Sequence, residues 1–244
     1  MRTPRIHVES VLQPGMTVLL PEQAGEHVAR VLRLERGAAL VLFNGDSREY
    51  DAQLTTVAKR AVTAQIIAMR DVHCESPLRL TLAQSVARGE KMDWILQKAT
   101  ELGVSHIVPL ITQRTEVKLD DERAQRRLAH WKYVIASACE QCGRNYLPTM
   151  DAPLRLDRWL ETLDDDGTLR LALLPQGTLQ VRQLSSLSDG AILAVGPEGG
   201  FSEQDIALFD QANFRGLRLG PRILRTETAG IAALAALQAL HGDL

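Results

Sequence analysis

The stretch Ala191-Ile-Leu-Ala-Val-Gly196-Pro197-Glu198-Gly199-Gly200-Phe-Ser202, with its counterpart Leu217-Arg-Leu219-Gly220-Pro221-Arg222-Ile-Leu-Arg225-Thr226-Glu-Thr-Ala, decides how the chain is read. Each opens with a short apolar run that predicts a strand, passes through Gly-Pro, and enters a helix behind a hydroxyl residue placed as cap. That is the pattern of a ligand-binding strand-to-helix turn. Gly199 and Gly200 allow positive φ and close approach to a ligand, while Pro197 stiffens the turn. Ser202 and Asp205 form a capping-box pattern that opens a helix over 203–213. Turn punctuation accounts for one such loop, but two in succession indicate a binding site. Neither matches G-x-G-x-x-G, and G-x-x-x-x-G-K-[ST] is absent, which argues against the usual dinucleotide and triphosphate cradles.

At 244 residues the chain has room for one large domain or two modest ones. No apolar run approaches the ~20 residues that span a bilayer, and Met1-Arg-Thr-Pro-Arg-Ile-His lacks a signal-peptide core, so a cytoplasmic protein is expected. The cysteines, Cys74, Cys139 and Cys142, are odd in number, which argues against a disulfide framework. Cys139-Glu-Gln-Cys142 has zinc-like spacing, yet no second C-x-x-C or H-x₃-H pair completes four ligands, and no metal is expected. The net charge is −2 and unevenly spread: residues 1–70 carry nine Lys/Arg against seven Asp/Glu, the remainder nineteen against twenty-three. Any nucleic-acid contact must come from a local basic face.

Outward from the two loops, the N-terminal part reads as short strands: Ile6-His-Val8, Thr17-Val-Leu-Leu20, Ala39-Leu-Val-Leu-Phe43, Tyr50-Asp-Ala-Gln-Leu54 and Val62-Thr-Ala-Gln-Ile-Ile67. Pro14-Gly15, Arg36-Gly37 and Asn44-Gly45-Asp46 punctuate them, which predicts a small β-barrel. A helical segment over 22–34 interrupts it, with Val28, Val31 and Leu32 as an apolar stripe. There Arg30, Arg33 and Arg36 recur every three residues, with Arg2 and Arg5 near the start: either a solvated helix face or a phosphate-contacting patch. The pattern changes over 71–77. After it come a strand over 78–83, a helix over 91–102 with Met92, Ile95, Leu96 and Ala99 inward, and a strand over 107–111. A long helix over 123–141, a short one over 156–163 and a strand over 169–174 follow, the order of an α/β domain. The last helix, 229–241, is apolar nearly all round with Gln238 as the main polar interruption, so core or a second subunit must cover every face.

Gly196-Pro-Glu-Gly-Gly-Phe-Ser202 followed by Leu219-Gly-Pro-Arg-Ile-Leu-Arg-Thr-Glu-Thr-Ala229 resembles the paired cofactor motifs of the SPOUT methyltransferases. More narrowly it resembles the RsmE family, which methylates N3 of a uridine in 16S ribosomal RNA. His27-Val-Ala-Arg-Val-Leu-Arg-Leu34, Arg88-Gly-Glu-Lys-Met-Asp-Trp-Ile-Leu-Gln-Lys-Ala-Thr-Glu-Leu-Gly103 and Ala138-Cys-Glu-Gln-Cys-Gly-Arg144 are similar to other motifs of that family. The resemblance implies an α/β fold with a C-terminal trefoil-knotted SPOUT domain over 73–244 and an N-terminal PUA-like β-barrel over 1–72. It further implies a homodimer through the C-terminal domain, and S-adenosyl-L-methionine held in a bent form. Leu174, Gly196, Pro197, Glu198, Gly199, Gly200, Leu219, Gly220, Ile223, Leu224 and Thr226 become the expected cofactor contacts. Arg2, Arg5, Arg30, Arg33, Arg36, Arg88, Lys91 and Arg144 become the expected contacts to 16S ribosomal RNA in the small subunit. An RNA-binding protein without methyltransferase activity is the competing class. A nucleotide-dependent oxidoreductase lacks the glycine spacing and an acidic ribose partner.

Uracil N3 carries a proton at neutral pH and becomes nucleophilic when that proton leaves. The site then needs a base, or a cation that stabilises the uracil anion. Arg225, in the second loop, is placed to bond a uracil oxygen, and Arg114, with Lys118 nearby, follows a strand end where functional side chains gather. Glu198 or Glu227 can receive the proton, against the competing assignment of a helix-start or loop hydrogen bond to backbone.

Overall fold

A computed structural model describes residues 3–58, 61–117, 120–185, 187 and 190–244, so Arg2 and Lys118 lie outside the described residues. The chain divides into two compact units, Met1–Glu75 with Cys139–Leu147, and Ser76–Ala138 with Pro148–Leu244.

The first unit is built on a five-stranded sheet. β1 (Arg5–His7) pairs parallel with β3 (Ala39–Phe43), and β4 (Arg48–Ala58), β5 (Ala61–Asp71) and β2 (Thr17–Leu19) follow antiparallel in that order. β4 and β5 alternate buried and more exposed residues along much of their length, while β3 is apolar throughout, and Ile6, Leu40, Leu42, Tyr50, Leu54, Ala64 and Ile66 gather in one core. β4 and β5 form a longer hairpin than their apolar runs alone suggest, and register shifts at Asp51/Ala52 and Leu54/Thr56 mark its irregularities. Between β2 and β3 lie α1 (Glu22–Glu26) and a π-helical turn, His27–Val31, in which Leu32 N–H donates to the His27 carbonyl. The wider turn breaks the 3.6-residue period. Val28 is buried as expected, but Val31 and Leu32, expected beside it, are exposed.

Cys139–Leu147 belongs to this unit through a polar cluster spanning the sequence. Arg5 is ion-paired with Glu49 and donates to Asn145 Oδ1 (2.6 Å) and the Arg144 carbonyl (3.1 Å). Arg144 grips both oxygens of Glu75, at 3.1 Å from its Nε, and Glu140 accepts the His7 N–H at 2.9 Å. Buried guanidinium groups require such partners.

The second unit is an all-parallel sheet in the order β12 (Arg215–Leu217), β10 (Leu169–Leu173), β11 (Ala191–Val195), β6 (Leu80–Ser85), β7 (His106–Ile111) and β8 (Thr149–Met150), with β9 (Leu154–Arg155) also on β7. After β7 the chain adds β8 and β9 beside it, then crosses to lay down β10, inserts β11 between β10 and β6, and places β12 outside β10. The loops that follow these three successive strands thereby leave neighbouring strand ends.

Helices flank the sheet. α2 (Lys91–Glu101) buries Met92, Ile95, Leu96 and Ala99 and packs with α6 (Thr226–His241), which also meets β11 and β6. α4 (Leu156–Leu160) and α5 (Glu203–Gln211) pack together over a second cluster containing Trp159, Phe201, Phe209 and Phe214. α3 (Asp121–Cys142) buries Trp131, Ile135 and Ala138. Gln238, buried within α6, donates to the Leu102 carbonyl and accepts from Ser76, both at 2.8 Å, which accounts for an amide in an apolar helix. The other side of α6, with Ile231, Ala232, Ala235, Ala239 and Leu240, is only half-buried or exposed. No helix among the described residues is long and apolar enough to cross a membrane.

Candidate functional site

At the C-terminal ends of β10, β11 and β12 lies a cavity of about 760 Å³, the place where open parallel sheets take ligands. Its walls are the loops that follow these three strands, closed by Lys91 from α2 and Arg114 from beyond β7. The structure brings together Leu174, Gly196, Pro197, Glu198, Gly199, Gly200, Leu219, Gly220, Ile223, Leu224 and Thr226, with Arg225, Arg114, Glu198 and Glu227, the candidates for chemistry.

Local backbone chemistry shapes the walls. Gly200 has φ +67° and Gly220 φ +85°, and a Cβ built on either would meet nothing within 4 Å, so backbone conformation selects glycine and leaves open space above it. Gly196 differs: a Cβ there would press to 3.2 Å on the Phe201 nitrogen, so the turn folds against itself. Gly199 has no positive φ, and its Cβ would reach only ordinary contact with Arg114, at 3.5 Å. The adjacent glycines thus do different work. Ser202 accepts the Asp205 N–H (3.0 Å) and Asp205 accepts the Ser202 N–H (2.9 Å), the reciprocal cap that starts α5 where the loop ends.

Side chains tie the loops to one another. Thr226 Oγ1 donates to the Gly196 carbonyl at 2.6 Å and accepts from Gln84 Nε2 at 3.1 Å. Gln84 is fully buried at the end of β6 and was not singled out in the sequence, where its only signal is a polar residue closing an apolar strand. Arg114 Nη1 donates to the carbonyls of Gly199 (3.0 Å) and Phe201 (3.3 Å), bracing the first loop.

The two carboxylates at the cavity are not equivalent. Glu198 accepts the Arg88 N–H at 3.2 Å and Lys91 Nζ at 3.1 Å. Burial alone would raise its pKa, but hydrogen bonds from its own backbone, Arg88 and Lys91 outweigh that and hold the carboxyl below its ordinary value. Glu227 lies 3.8 Å from Lys91 Nζ, and its Oε2, withdrawn from solvent, has no hydrogen-bond partner among the described residues.

The remaining basic candidates are scattered. Arg30, Arg33 and Arg36 are exposed in the first unit, but they do not share a helical face: Arg30 lies in the π turn, paired with Glu26 at 3.1 Å, and Arg33 has φ 52° beyond its end. Arg5 and Arg144 are buried in the polar cluster of that unit, where their guanidinium groups hold the fold. Arg88 is exposed and ion-paired with Glu116. Among the described residues no cluster of His, Cys, Asp and Glu is placed to hold a metal.

Known proteins match this arrangement. Residues 74–238 match the RNA methyltransferase domain family, and residues 20–67 match the RNA methyltransferase PUA domain family. Ribosomal RNA small subunit methyltransferase E of Buchnera aphidicola subsp. Schizaphis graminum is 32% identical over 100% of this chain and 98% of its own length. The Bacillus subtilis (strain 168) protein of the same name is 32% identical over 95% of each. Among solved structures, a putative methyltransferase from Legionella pneumophila with its bound cofactor SAM superposes with a TM-score of 0.96 at 43% identity, covering 100% of both chains. The ribosomal RNA small subunit methyltransferase E from Neisseria gonorrhoeae, bound to S-adenosyl methionine, gives 0.91 at 37%, again over 100% of both.

Proposed function

Because this chain belongs to the ribosomal RNA small subunit methyltransferase E family, we propose that it transfers a methyl group from S-adenosyl-L-methionine to N3 of one uridine in 16S ribosomal RNA of the small subunit. The observation that carries this reading is the convergence of three loops, two with positive-φ glycines, on one cavity at the ends of β10, β11 and β12. Gly196 to Gly200, Leu174 and the backbone from Leu219 to Leu224 would hold the adenosine and methionine parts, and the residues fit because open space lies above Gly200 and Gly220. When bound, the cofactor supplies an electrophilic methyl group.

The protein's own groups then have separable tasks. Thr226 and Gln84 fix the two loops against each other, Arg114 braces the first, and Arg225, exposed at the cavity, offers a guanidinium to the uracil oxygens as negative charge develops. The strand order, with β11 inserted between β10 and β6 and α6 packed back on α2, supports a SPOUT trefoil knot at these loops. The half-covered apolar side of α6 supports a homodimer through the second unit. Exposed Arg30, Arg33 and Arg36 support an RNA-holding role for the first unit in a cytoplasmic enzyme.

Calorimetry with S-adenosylmethionine and, separately, NAD tests the cofactor, and mass spectrometry of nucleosides from treated small subunits tests the product. Heat with the first ligand alone, together with a new N3-methyluridine, is the expected result. Cofactor binding without any methylated nucleoside would leave a binding protein and overturn the reading.

A further inference from the structure

We propose that Glu227 accepts the imide proton of the target uridine, and that this carboxylate, beside Lys91 in a cavity lined by cations, selects uracil over cytosine. The inference rests on the methyltransferase reading above. It begins from a polar group the fold leaves unsatisfied. Glu227 stands in the first turn of α6 and lines the cavity with a side chain 19% exposed, yet its Oε2 has no hydrogen-bond donor among the described residues. Lys91 Nζ, at 3.8 Å, stops short of hydrogen-bond reach. Glu198 is the contrast, already holding the Arg88 N–H and Lys91. A withdrawn acceptor without a donor is costly, and in a ligand cavity the missing donor comes from the ligand.

The surroundings say which donor fits. Lys91 of α2, Arg114 beyond β7, and Arg218, Arg222 and Arg225 of the β12–α6 loop line the cavity; against them stand only Glu198 and Glu203 around the start of α5, and Glu227 itself. A further cation at Glu227 would meet Lys91, whereas a neutral N–H does not. The uracil edge presents a carbonyl, an N–H and a carbonyl. Its complement is a donor, an acceptor and a donor, which Lys91, Glu227 and Arg225 supply. Cytosine offers a lone pair at the middle position, facing the carboxylate lone pairs, and is refused.

The step balances. The N3–H bond breaks and its proton passes to the Glu227 carboxylate, either oxygen of which reaches the cavity by rotation about the last side-chain bond. The charge left on N3 and its two flanking carbonyls is paired by Lys91 and Arg225. The N3 electron pair forms the new bond to the methyl carbon, the carbon–sulfur bond breaks with its pair remaining on sulfur, and Glu227 releases the proton to water.

Glu227→Gln keeps size and an acceptor oxygen but cannot take a proton. With small subunits whose target uridine has been located in the product of the parent enzyme, single-turnover methylation should fall by ~100-fold or more. Affinity for S-adenosylhomocysteine, measured by calorimetry, should stay within about 3-fold. Glu227→Asp should recover part of the rate and keep the parent's pH profile, while the Gln variant should instead rise with hydroxide across the range. Undiminished turnover in the Gln variant overturns the proposal and leaves the methyltransferase reading standing; so does parallel loss of rate and of S-adenosylhomocysteine affinity in both variants. A parent enzyme that yields no N3-methyluridine overturns the reading itself.

Discussion

Thr226 Oγ1 sits 2.6 Å from the Gly196 carbonyl and 3.1 Å from Gln84 Nε2, so one hydroxyl joins the first residue of one cavity loop, the first turn of the last helix and the end of a central strand. Its donor and acceptor are both used, and neither can be replaced by solvent at 7% exposure. Thr226→Val keeps the shape but takes the donor from the Gly196 carbonyl and one of two acceptors from buried Gln84, a loss of about 1–3 kcal/mol. Affinity for S-adenosylhomocysteine should drop ~5- to 30-fold by calorimetry, while Thr226→Ser should bind as the parent does.

What the sequence disclosed follows from how local each instruction is. Ser202 and Asp205 cap α5 within three residues, and Met92, Ile95, Leu96 and Ala99 define a helix face without outside help. The cavity loops were legible for the same reason, because Gly-Pro turns and hydroxyl caps act on their own backbone. Gln84 was not, since its partner lies 142 residues away. Nor was the membership of Cys139–Leu147 in the first unit, which rests on pairs such as Arg5 with Asn145, 140 residues apart. The strand order escaped too: every strand of a parallel sheet is an apolar run, and nothing in β11 alone says that it lies between β10 and β6. Val31 and Leu32 were misplaced because a π turn leaves no mark in an apolar period of 3.6.

The two adjacent glycines should respond differently to the same change. Gly200→Ala forces a side chain to φ +67° in open space, a backbone cost of about 1–2 kcal/mol, and should weaken S-adenosylhomocysteine binding ~5- to 30-fold. Gly199→Ala makes an ordinary 3.5 Å contact with Arg114 and should stay within about 3-fold. Equal losses at the two positions would show that a ligand packs directly on Gly199.

Replacing Arg30, Arg33 and Arg36 together by Ala should weaken RNA binding and lower the slope of log affinity against log salt by about 2 to 3, leaving S-adenosylhomocysteine binding unchanged. All three are exposed, and Arg30 is ion-paired with Glu26. An unaltered salt slope would assign them to solvation of that surface.

Burial raises the Glu140 carboxyl, outweighing the His7 N–H it accepts and the attraction of Arg5. A carboxylate raised by folding costs stability where it is ionised, above its folded pKa, and that cost fades as pH falls toward the unfolded value. Glu140→Gln keeps a carbonyl for His7 and removes the charge. Its melting temperature should equal or exceed the parent's by up to about 2 °C at pH 8, with the difference shrinking toward pH 4. A lower melting temperature at pH 8 would mean that the Arg5 attraction outweighs desolvation.

Arg225 is the residue on which the proposed chemistry leans most. It is the N-cap of α6, exposed at the cavity, between Leu224, which lines the cavity, and Thr226, which is locked to Gly196. Its backbone is therefore fixed while its side chain is left to a ligand. A planar guanidinium can give two hydrogen bonds to a developing uracil anion and keeps its charge throughout, whereas lysine offers a single mobile ammonium. If the guanidinium acts in the transition state, Arg225→Lys should lower the single-turnover rate at saturating cofactor and RNA by at least ~10-fold, on the order of 1.4 kcal/mol. S-adenosylhomocysteine affinity should stay within about 3-fold, since that ligand does not carry the uracil anion the guanidinium is proposed to hold. A brace for the loop would behave in the opposite way, losing affinity or thermal stability at an unchanged saturated rate, and that outcome would remove Arg225 from the chemistry.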